Sequence, residues 1–195
     1  MFGHGNSPDG AFTGHGTGFY DVMARFVLRR VYRRLARDIA AEAPQGVTIL
    51  DVGTGPGVLL VELARQRPDL KLKGVDLSAD MIAAARRNLA PFADRAEAIT
   101  GDVTDLPLPD ASVDVIVSSF SLHHWADPEA AVPELARVLR PGGRVIVYDF
   151  TRGPFDKLID TARAQSVLHA QSPQRGPIRT GIPFGHQGVK LVLSA

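Results

Sequence analysis

The residues best placed to do chemistry surround a glycine-rich segment at positions 51–57, with the sequence DVGTGPG. Glycine lets the backbone turn sharply and lets a ligand come close to it. Asp76 follows at the end of the next apolar run, where a carboxylate can accept hydrogen bonds from both hydroxyls of a ribose. Together these residues predict a strand-to-helix turn that holds an adenosine-bearing cofactor.

The charge at this turn argues against a dinucleotide. Asp51 lies two residues before Gly53, so a pyrophosphate seated on the turn would be repelled by its carboxylate, whereas a cationic ligand would be favoured. Val58 also stands where the third glycine of the G-x-G-x-x-G pattern should be. Both observations disfavour NAD as the ligand.

Strand and helix signals alternate from residue 47 onward, which predicts a parallel sheet covered by helices on both faces. Short apolar runs predict strands at 47–51, 71–75, 96–100, 113–118, 143–149 and 189–193, the last with residues 178–182 as its hairpin partner. Amphipathic patterns predict helices near 57–67, 78–89, 128–140 and 155–169. Ser78 and Asp127 are predicted N-caps, the motif at 141–143 is expected to stop the third of these helices, and residues 101–112 are expected to be mostly loop.

The domain organisation follows from the composition along the chain. Residues 1–45 combine a glycine-rich segment, expected to be flexible, with a helix over about 20–42, and residues 46–195 form the cofactor-binding domain. An arginine row runs along the helix at Arg25, Arg29, Arg33 and Arg37. It could meet phosphate, but a solvated face is the favoured interpretation.

The composition excludes several classes of protein. The chain has 195 residues and no cysteine, so neither a disulfide nor a thiolate site can form. No apolar run reaches the roughly 18 residues of a membrane span, and no signal-peptide pattern opens the chain, so a cytoplasmic location is expected. The net charge of +1 gives no general reason to expect nucleic acid. The histidines show no metal-ligand spacing, so no metal is expected. The oligomeric state stays open.

Five motifs follow one another in an order and spacing that resemble those of a known protein family: ILDVGTGPG at 49–57, GVDLS at 74–78, GDVTDLPLPD at 101–110, DVIVSSFSLHHW at 114–125 and VLRPGGRVIVYDF at 138–150. On these motifs the chain resembles a class I S-adenosylmethionine-dependent methyltransferase of the small-molecule type, similar to the quinone-biosynthesis methyltransferases. The resemblance implies a single-domain α/β fold of the Rossmann-like, doubly wound kind. Its mostly parallel seven-stranded sheet would carry helices on both faces and an antiparallel C-terminal strand.

The resemblance also implies a role for individual positions toward S-adenosylmethionine. The methionine part would be held by Asp51, Gly53, Thr54, Gly55 and Gly57, with Ser118 or Ser119 at the amino-acid end. Asp76 would bind the ribose, Leu77 and Met81 would contact the adenine, and Asp102 and Val103 would meet its amino edge. Tyr20 resembles the N-terminal aromatic residue that closes over the cofactor.

The implied reaction is an in-line transfer of a methyl group to an oxygen, nitrogen or carbon atom of a small acceptor. A general base is needed only if the acceptor must lose a proton. His123, His124 and Asp149 are the candidates, because they follow two neighbouring strands. Acceptor contacts are expected from residues 1–32, 120–125 and 150–187. Two alternatives remain open: a non-catalytic module that binds the cofactor or a protein partner, and an RNA methyltransferase that uses the arginine row.

Overall fold

The computed structural model describes residues 17–178 and 188–195, with side chains from residue 29 onward. Its helices are α1 (Thr17–Glu42), α2 (Val58–Gln66), α3 (Ala79–Leu89), α4 (Pro128–Val138) and α5 (Phe155–Ala164). Its strands are β1 (Thr48–Val52), β2 (Lys71–Asp76), β3 (Ala96–Thr100), β4 (Val113–Ser119), β5 (Leu139–Phe150), β6 (Gln174–Ile178) and β7 (Gly188–Ser194). Short 3-10 turns occupy Ala90–Phe92 and Leu122–His124.

The strands form one seven-stranded sheet in the order β3-β2-β1-β4-β5-β7-β6. Neighbours from β3 to β5 are parallel, and β7 runs antiparallel to both β5 and β6. The strand order reverses between β1 and β4, which is the switch point where ligands of such sheets bind. The predicted doubly wound fold with an antiparallel C-terminal strand is confirmed.

Both faces of the sheet are covered, which is why the central strands read as continuous apolar runs. On one face, buried side chains of β1 and β4 pack against α1, α2 and α3, as Leu35 and Ile39 of α1 illustrate. On the other face they pack against α4 and α5, where Leu135 and Leu158 are buried. Every residue of β1 is buried, so the turn after it begins from a rigid support.

The predicted helix caps are confirmed, but one predicted helix end is wrong. The Ser78 side chain accepts from the Met81 N–H, and Asp127 accepts from the first backbone N–H groups of α4. Helix α4 ends at Val138 and not at residue 140, because Leu139 already belongs to β5, where it pairs with Val113 of β4. The Pro-Gly-Gly motif at 141–143 therefore lies inside β5, at an irregularity in its pairing, and does not stop a helix.

The C-terminal predictions need two further corrections. The helix predicted over 155–169 ends at Ala164, since Ser166 and Leu168 have left-handed backbone angles (φ 54° and 51°) that cannot continue it. The hairpin partner of β7 is Gln174–Ile178 and not residues 178–182, of which the structure describes only Ile178. This strand contains Gly176 and Pro177, so its sequence lacks the usual strand signal and suits a sheet edge.

Helix α1 begins at Thr17, three residues before the predicted start, while the glycine-rich residues 1–16 lie outside the described part. The C-terminal half of α1 is fastened to the sheet. The Tyr148 hydroxyl donates to Asp38, and Lys190 donates to both Asp38 and Glu42. These bonds join α1 to β5 and β7 and thereby fix the position of Tyr32 one to two turns earlier.

The loop between β3 and β4 is mostly irregular, as predicted, and a single side chain holds it in place. Arg137 of α4 donates to the backbone carbonyls of Leu106 and Leu108 (2.9 Å each) and to the Asp110 carboxylate. Glu134 orients the guanidinium and also accepts from the Leu106 N–H. The second half of this loop is thus tied to α4.

Arg137→Met should lower the free energy of unfolding by about 2 kcal/mol, because two carbonyls and two carboxylates lose a charged donor. Chemical denaturation followed by circular dichroism measures this change. The control is Arg163→Met, whose guanidinium is exposed and pairs only with an exposed carboxylate on the same helix, so its effect should stay within about 0.5 kcal/mol. Equal effects of the two substitutions would contradict the proposed fastening of the loop.

Candidate functional site: a cofactor cavity at the strand ends

A cavity of about 540 Å³ opens beyond the carboxyl ends of β1, β2 and β4. It receives side chains from α1, the turn after β1, the end of β2, the loop after β3 and the segment after β4. Its lining includes these predicted positions: Gly53, Thr54, Gly55, Asp76, Leu77, Met81, Asp102, Val103, Ser119 and His124. A volume of this size is typical of a small-molecule or cofactor site.

The turn at 53–57 is clipped to the neighbouring strand. The backbone N–H groups of Gly53 and Thr54 both donate to the Val75 carbonyl, at 2.8 and 3.0 Å. Gly53 has φ 70°, and a Cβ added there would lie 1.8 Å from Oγ of Ser121. Only glycine therefore allows the segment after β4 to approach the turn. A Cβ on Gly55, in contrast, would meet no atom of the described residues within 4 Å.

Gly57 has a structural role that the sequence did not separate from cofactor binding. Its φ is 75°, and a Cβ added to it would stand 3.2 Å from the Cβ of Ala85 on α3. This glycine closes the turn and lets α2 pack against α3. It is not among the residues that line the cavity.

Asp76 braces the turn and faces the cavity at the same time. Its Oδ2 accepts from the Gly55 N–H (2.8 Å) and its Oδ1 accepts from the Ser78 N–H (2.9 Å). Each carboxylate oxygen has a further lone pair, so the group can still accept from two ligand hydroxyls. The position is the one that the sequence predicts for ribose binding.

Asp51 lies directly beneath the turn and is fully buried. Its Oδ2 accepts from Oγ1 of Thr54 at 2.8 Å, whereas Oδ1 has no partner in the described part of the chain. Burial raises the pKa of this carboxyl to about 7, and the nearby charge of Asp76 adds to the rise, against the Thr54 hydrogen bond. A buried carboxylate with an unpaired oxygen is costly unless a cation approaches it. These residues therefore fit a ligand with positive charge.

The opposite end of the cavity is apolar on one side and polar on the other. Leu77 and Met81 are exposed (72% and 45%), which is unusual for large apolar side chains and suits contact with a flat ligand ring. Asp102 accepts from the backbone and hydroxyl of Thr104 through Oδ1, and these bonds lower the pKa of its carboxyl. The other oxygen takes no part in these bonds and can accept from an amino group.

The sequence left open whether Ser118 or Ser119 faces the cavity, and the structure distinguishes them. Ser119 lines the cavity, while Ser118 points to the α4–α5 face of the sheet, because successive strand residues point to opposite faces. Tyr20 lies in α1, but its side chain is outside the described part, so its role stays a prediction.

Tyr32 is the last residue of the range 1–32 from which acceptor contacts are expected, but the sequence did not single it out as a site residue. Its ring forms a wall of the cavity, and its hydroxyl shares a hydrogen bond with Ser119. Burial, with a smaller contribution from the charge of Asp51, raises the pKa of Tyr32 to about 12. Trp125 also lines the cavity and donates from Nε1 to Ser121.

The three candidate bases lie together, with both histidines in the turn after β4 and Asp149 near the end of β5. Asp149 is fully buried and contacts His123 twice: its Oδ2 accepts from the backbone N–H (2.9 Å), and its Oδ1 lies 2.8 Å from Nδ1. The His124 ring lies 3.9 Å from the His123 ring, measured between centroids, and His124 also lines the cavity. His123 and Asp149 are thus a hydrogen-bonded pair beside the cavity.

Neither a metal site nor a membrane span occurs among the described residues. No group of three histidine, aspartate or glutamate side chains there could hold a metal ion. No helix in that part of the chain is both long and apolar enough to cross a membrane.

The family described as "Methyltransferase domain" matches residues 50–147, which is half of the chain and contains the turn, Asp76 and the two histidines. The chain belongs to this methyltransferase family. The predicted resemblance is thereby confirmed, and its cofactor is S-adenosylmethionine, a ligand with positive charge on its sulfonium and ammonium groups.

Similar proteins extend this match. The chain is 38% identical over 141 residues to a demethylmenaquinone methyltransferase of Thermus thermophilus. The match covers 69% of this chain and 62% of the relative. It is 33% identical over 142 residues to a ubiquinone/menaquinone biosynthesis C-methyltransferase of Geotalea daltonii, covering 70% and 60%. The chain thus spans about three fifths of the length of these two relatives.

A solved structure matches over the full length. It is a protein of Methanococcus maripaludis described as a putative S-adenosyl-L-methionine-dependent methyltransferase, 25% identical, with a TM-score of 0.68 and coverage of 100% of this chain and 96% of that one.

The affinity for S-adenosylmethionine should rise about tenfold between pH 6 and pH 8. Because burial raises the pKa of Asp51 to about 7, the free protein holds a proton there at pH 6, and binding a cation favours its loss. Isothermal titration calorimetry at both pH values measures the change. Asp51→Asn should bind more weakly at pH 8 and lose most of the pH dependence, whereas Asp80→Asn, an exposed control on α3, should keep it. A pH-independent wild-type affinity would contradict the assignment.

Proposed function

We propose that the protein transfers a methyl group from S-adenosylmethionine to a small-molecule acceptor, at an oxygen, nitrogen or carbon atom of a planar, electron-rich ring such as a quinol. The observation that carries the proposal is the arrangement around the cavity. Two acidic side chains flank the glycine turn that would hold the donor, and a histidine–carboxylate pair ends the adjacent strands. The relatives described as demethylmenaquinone and ubiquinone/menaquinone methyltransferases support a quinol-type acceptor.

S-adenosylmethionine supplies a methyl group that its sulfonium already activates. The residues of the chain have to bind, orient and dehydrate the reactants. The turn and Asp51 would hold the methionine part, and Asp76 the ribose, while Leu77, Met81 and Asp102 would hold the adenine. Fixing two reactants in line can lower the barrier by about 7–11 kcal/mol.

Aromatic side chains form the wall on the acceptor side. Between ring centroids, Phe120 lies 5.2 Å from Phe150 in a tilted arrangement, and Phe150 lies 5.4 Å from His123. The Tyr32 ring meets Phe120 edge-on at 6.2 Å. Phe120 takes a left-handed backbone angle (φ 54°) that its N–H bond to the Tyr148 carbonyl helps to hold. Such strain in a non-glycine residue concentrates at functional sites. The cluster suits a flat apolar ring.

His123 is the better candidate for the base because its orientation is fixed. The Asp149 carboxylate accepts hydrogen bonds from the backbone N–H groups of His123 and Phe150. It can also accept one from Nδ1 of His123 when that nitrogen carries the proton. That arrangement leaves the lone pair on Nε2 of His123, which can receive the proton of an acceptor hydroxyl or ring carbon. His124 would contact the acceptor or cofactor from the cavity wall.

We also propose that α1 and the residues before it form the acceptor side, as the division at residue 45 implies. Tyr32 supports this division, since it brings α1 into the cavity. The RNA alternative is not favoured, because the relatives reported above are described as demethylmenaquinone and ubiquinone/menaquinone methyltransferases. A binding module without turnover remains the outcome that a failed transfer assay would favour.

The acceptor can be found by incubating the protein with isotopically labelled S-adenosylmethionine and a metabolite extract, followed by mass spectrometry of the labelled products. Binding of the cofactor without any labelled product would favour the non-catalytic module. Failure to bind either S-adenosylmethionine or S-adenosylhomocysteine would overturn the proposed function.

With an acceptor in hand, His123→Gln should lower kcat about 100-fold or more, because proton removal loses its base, while the affinity for S-adenosylhomocysteine stays within twofold. Asp149→Asn should act in the same direction and shift the pH profile of kcat. His169→Gln, at an exposed position away from the cavity, is the matched control and should keep the wild-type rate. A wild-type kcat in His123→Gln would remove the base from the mechanism.

A further inference from the structure

A second cavity of about 550 Å³ lies between α1 and α2, on the other side of the glycine turn. We call it the arginine groove; it is lined by Arg29, Tyr32, Thr54, Pro56, Val58, Val61, Glu62, Arg65 and Asn88. Tyr32, Thr54 and Pro56 belong to the lining of both cavities, so the groove adjoins the cofactor cavity along a shared wall. A ligand in the groove would contact residues that also border the cofactor.

The charges of the groove are not balanced. Glu62 is buried (4% exposed) and accepts from three guanidiniums: Nε of Arg29 (3.3 Å), Nε of Arg33 (3.5 Å) and Nη1 of Arg65 (3.1 Å). Arginine stays protonated in proteins, so one carboxylate faces three positive charges. All three arginine side chains are about half exposed, and two of them line the groove. The surplus charge is therefore accessible to an anion.

The geometry of the pairing leaves donors for such an anion. Arg29 contacts Glu62 through Nε, so its two terminal amino groups take no part in that contact. Arg65 uses only Nη1. A guanidinium presents a planar fork that matches carboxylate and phosphate oxygens, and Glu62 holds both forks in place. Val58, Val61 and Pro56 add an apolar wall.

We propose that the arginine groove binds a carboxylate or phosphate group of the methyl acceptor. This inference rests on the proposed function and narrows its substrate class to acceptors with an anionic group beside an apolar body. The groove lies on the other side of the glycine turn from the cavity that would hold the cofactor, so we assign it to a separate ligand.

The test measures the binding of phenyl phosphate, benzoate and neutral phenol by calorimetry, to the full chain with and without saturating S-adenosylhomocysteine. At least one anion should bind more tightly than phenol, and its affinity should fall as salt rises. Phenyl phosphate and benzoate distinguish the two anionic groups. Equal affinities for phenol and both anions would overturn the proposal.

The variants are Arg29→Gln, Arg65→Gln and the double substitution, with Arg37→Gln as an exposed control on α1 outside the groove. Glu62 keeps Arg33 in every variant, and circular dichroism checks the fold. Each single substitution should lower the affinity for the anion several-fold, and the double substitution should lower it at least tenfold. The affinity of the control should stay within twofold of wild type. Arg29→Lys keeps the charge without the fork and should lie between Arg29→Gln and wild type. Unchanged affinity in the double variant would overturn the assignment.

Cofactor binding separates the possible failures. S-adenosylhomocysteine should bind all variants within twofold of wild type. Methylthioadenosine lacks the amino-acid carboxylate of the cofactor. If Arg29→Gln lowers the affinity for S-adenosylhomocysteine but not for methylthioadenosine, the groove holds the cofactor instead and the proposal is overturned. If the wild type binds S-adenosylhomocysteine but no anion, the groove proposal fails and methyl transfer stands. If S-adenosylhomocysteine does not bind at all, the proposed function fails, and the groove proposal, which rests on it, fails as well.

Discussion

The hydrogen bonds between the glycine turn and the end of β2 are the constraint on which the site depends. The Val75 carbonyl holds the backbone at the start of the turn, and the Asp76 carboxylate joins Gly55 to Ser78. The turn, the start of α3 and the Asp76 carboxylate, which we propose binds the ribose, are thereby fixed as one unit. The segment after β4 reaches this unit only because Gly53 has no side chain to meet Ser121.

Asp51 shows what this arrangement costs. A carboxyl that burial shifts to a pKa of about 7 makes the cofactor-free fold less stable as pH rises from about 4 to 7, because the unfolded chain loses its proton first. The unpaired Oδ1 adds a further desolvation cost. Such a group is explained by a ligand whose positive charge stabilises the ionised form. The protein alone lacks a positive charge that would stabilise the ionised Asp51, and we propose that the cofactor supplies it.

Much of the fold could be predicted because parallel strands buried on both faces give mostly apolar runs, as in β1 and β4. The sequence failed where tertiary contacts decide the structure. Strand β6 contains Gly176 and Pro177 and forms because β7 offers it an edge, not because of its own propensity. Leu139 leaves α4 because Val113 is available to pair with it.

The same reasons separate the predicted from the missed parts of the site. Asp51 and Asp76 could be placed beside the turn because their spacing from it follows from chain connectivity. Tyr32 could not be singled out, since helical periodicity places it on the apolar face of α1 but does not show that its side chain lines the cavity. For Ser118 and Ser119, only the strand register shows which of the two adjacent residues faces the cofactor.

The central claim is that the turn and Asp76 hold S-adenosylmethionine. The most direct measurement is isothermal titration calorimetry of S-adenosylhomocysteine with the wild type and with Asp76→Ala at pH 8. The account predicts one site per chain and an affinity that falls by about 10-fold to 100-fold on loss of charge-assisted hydrogen bonds. No binding to the wild type, or equal affinity in both proteins, would contradict it.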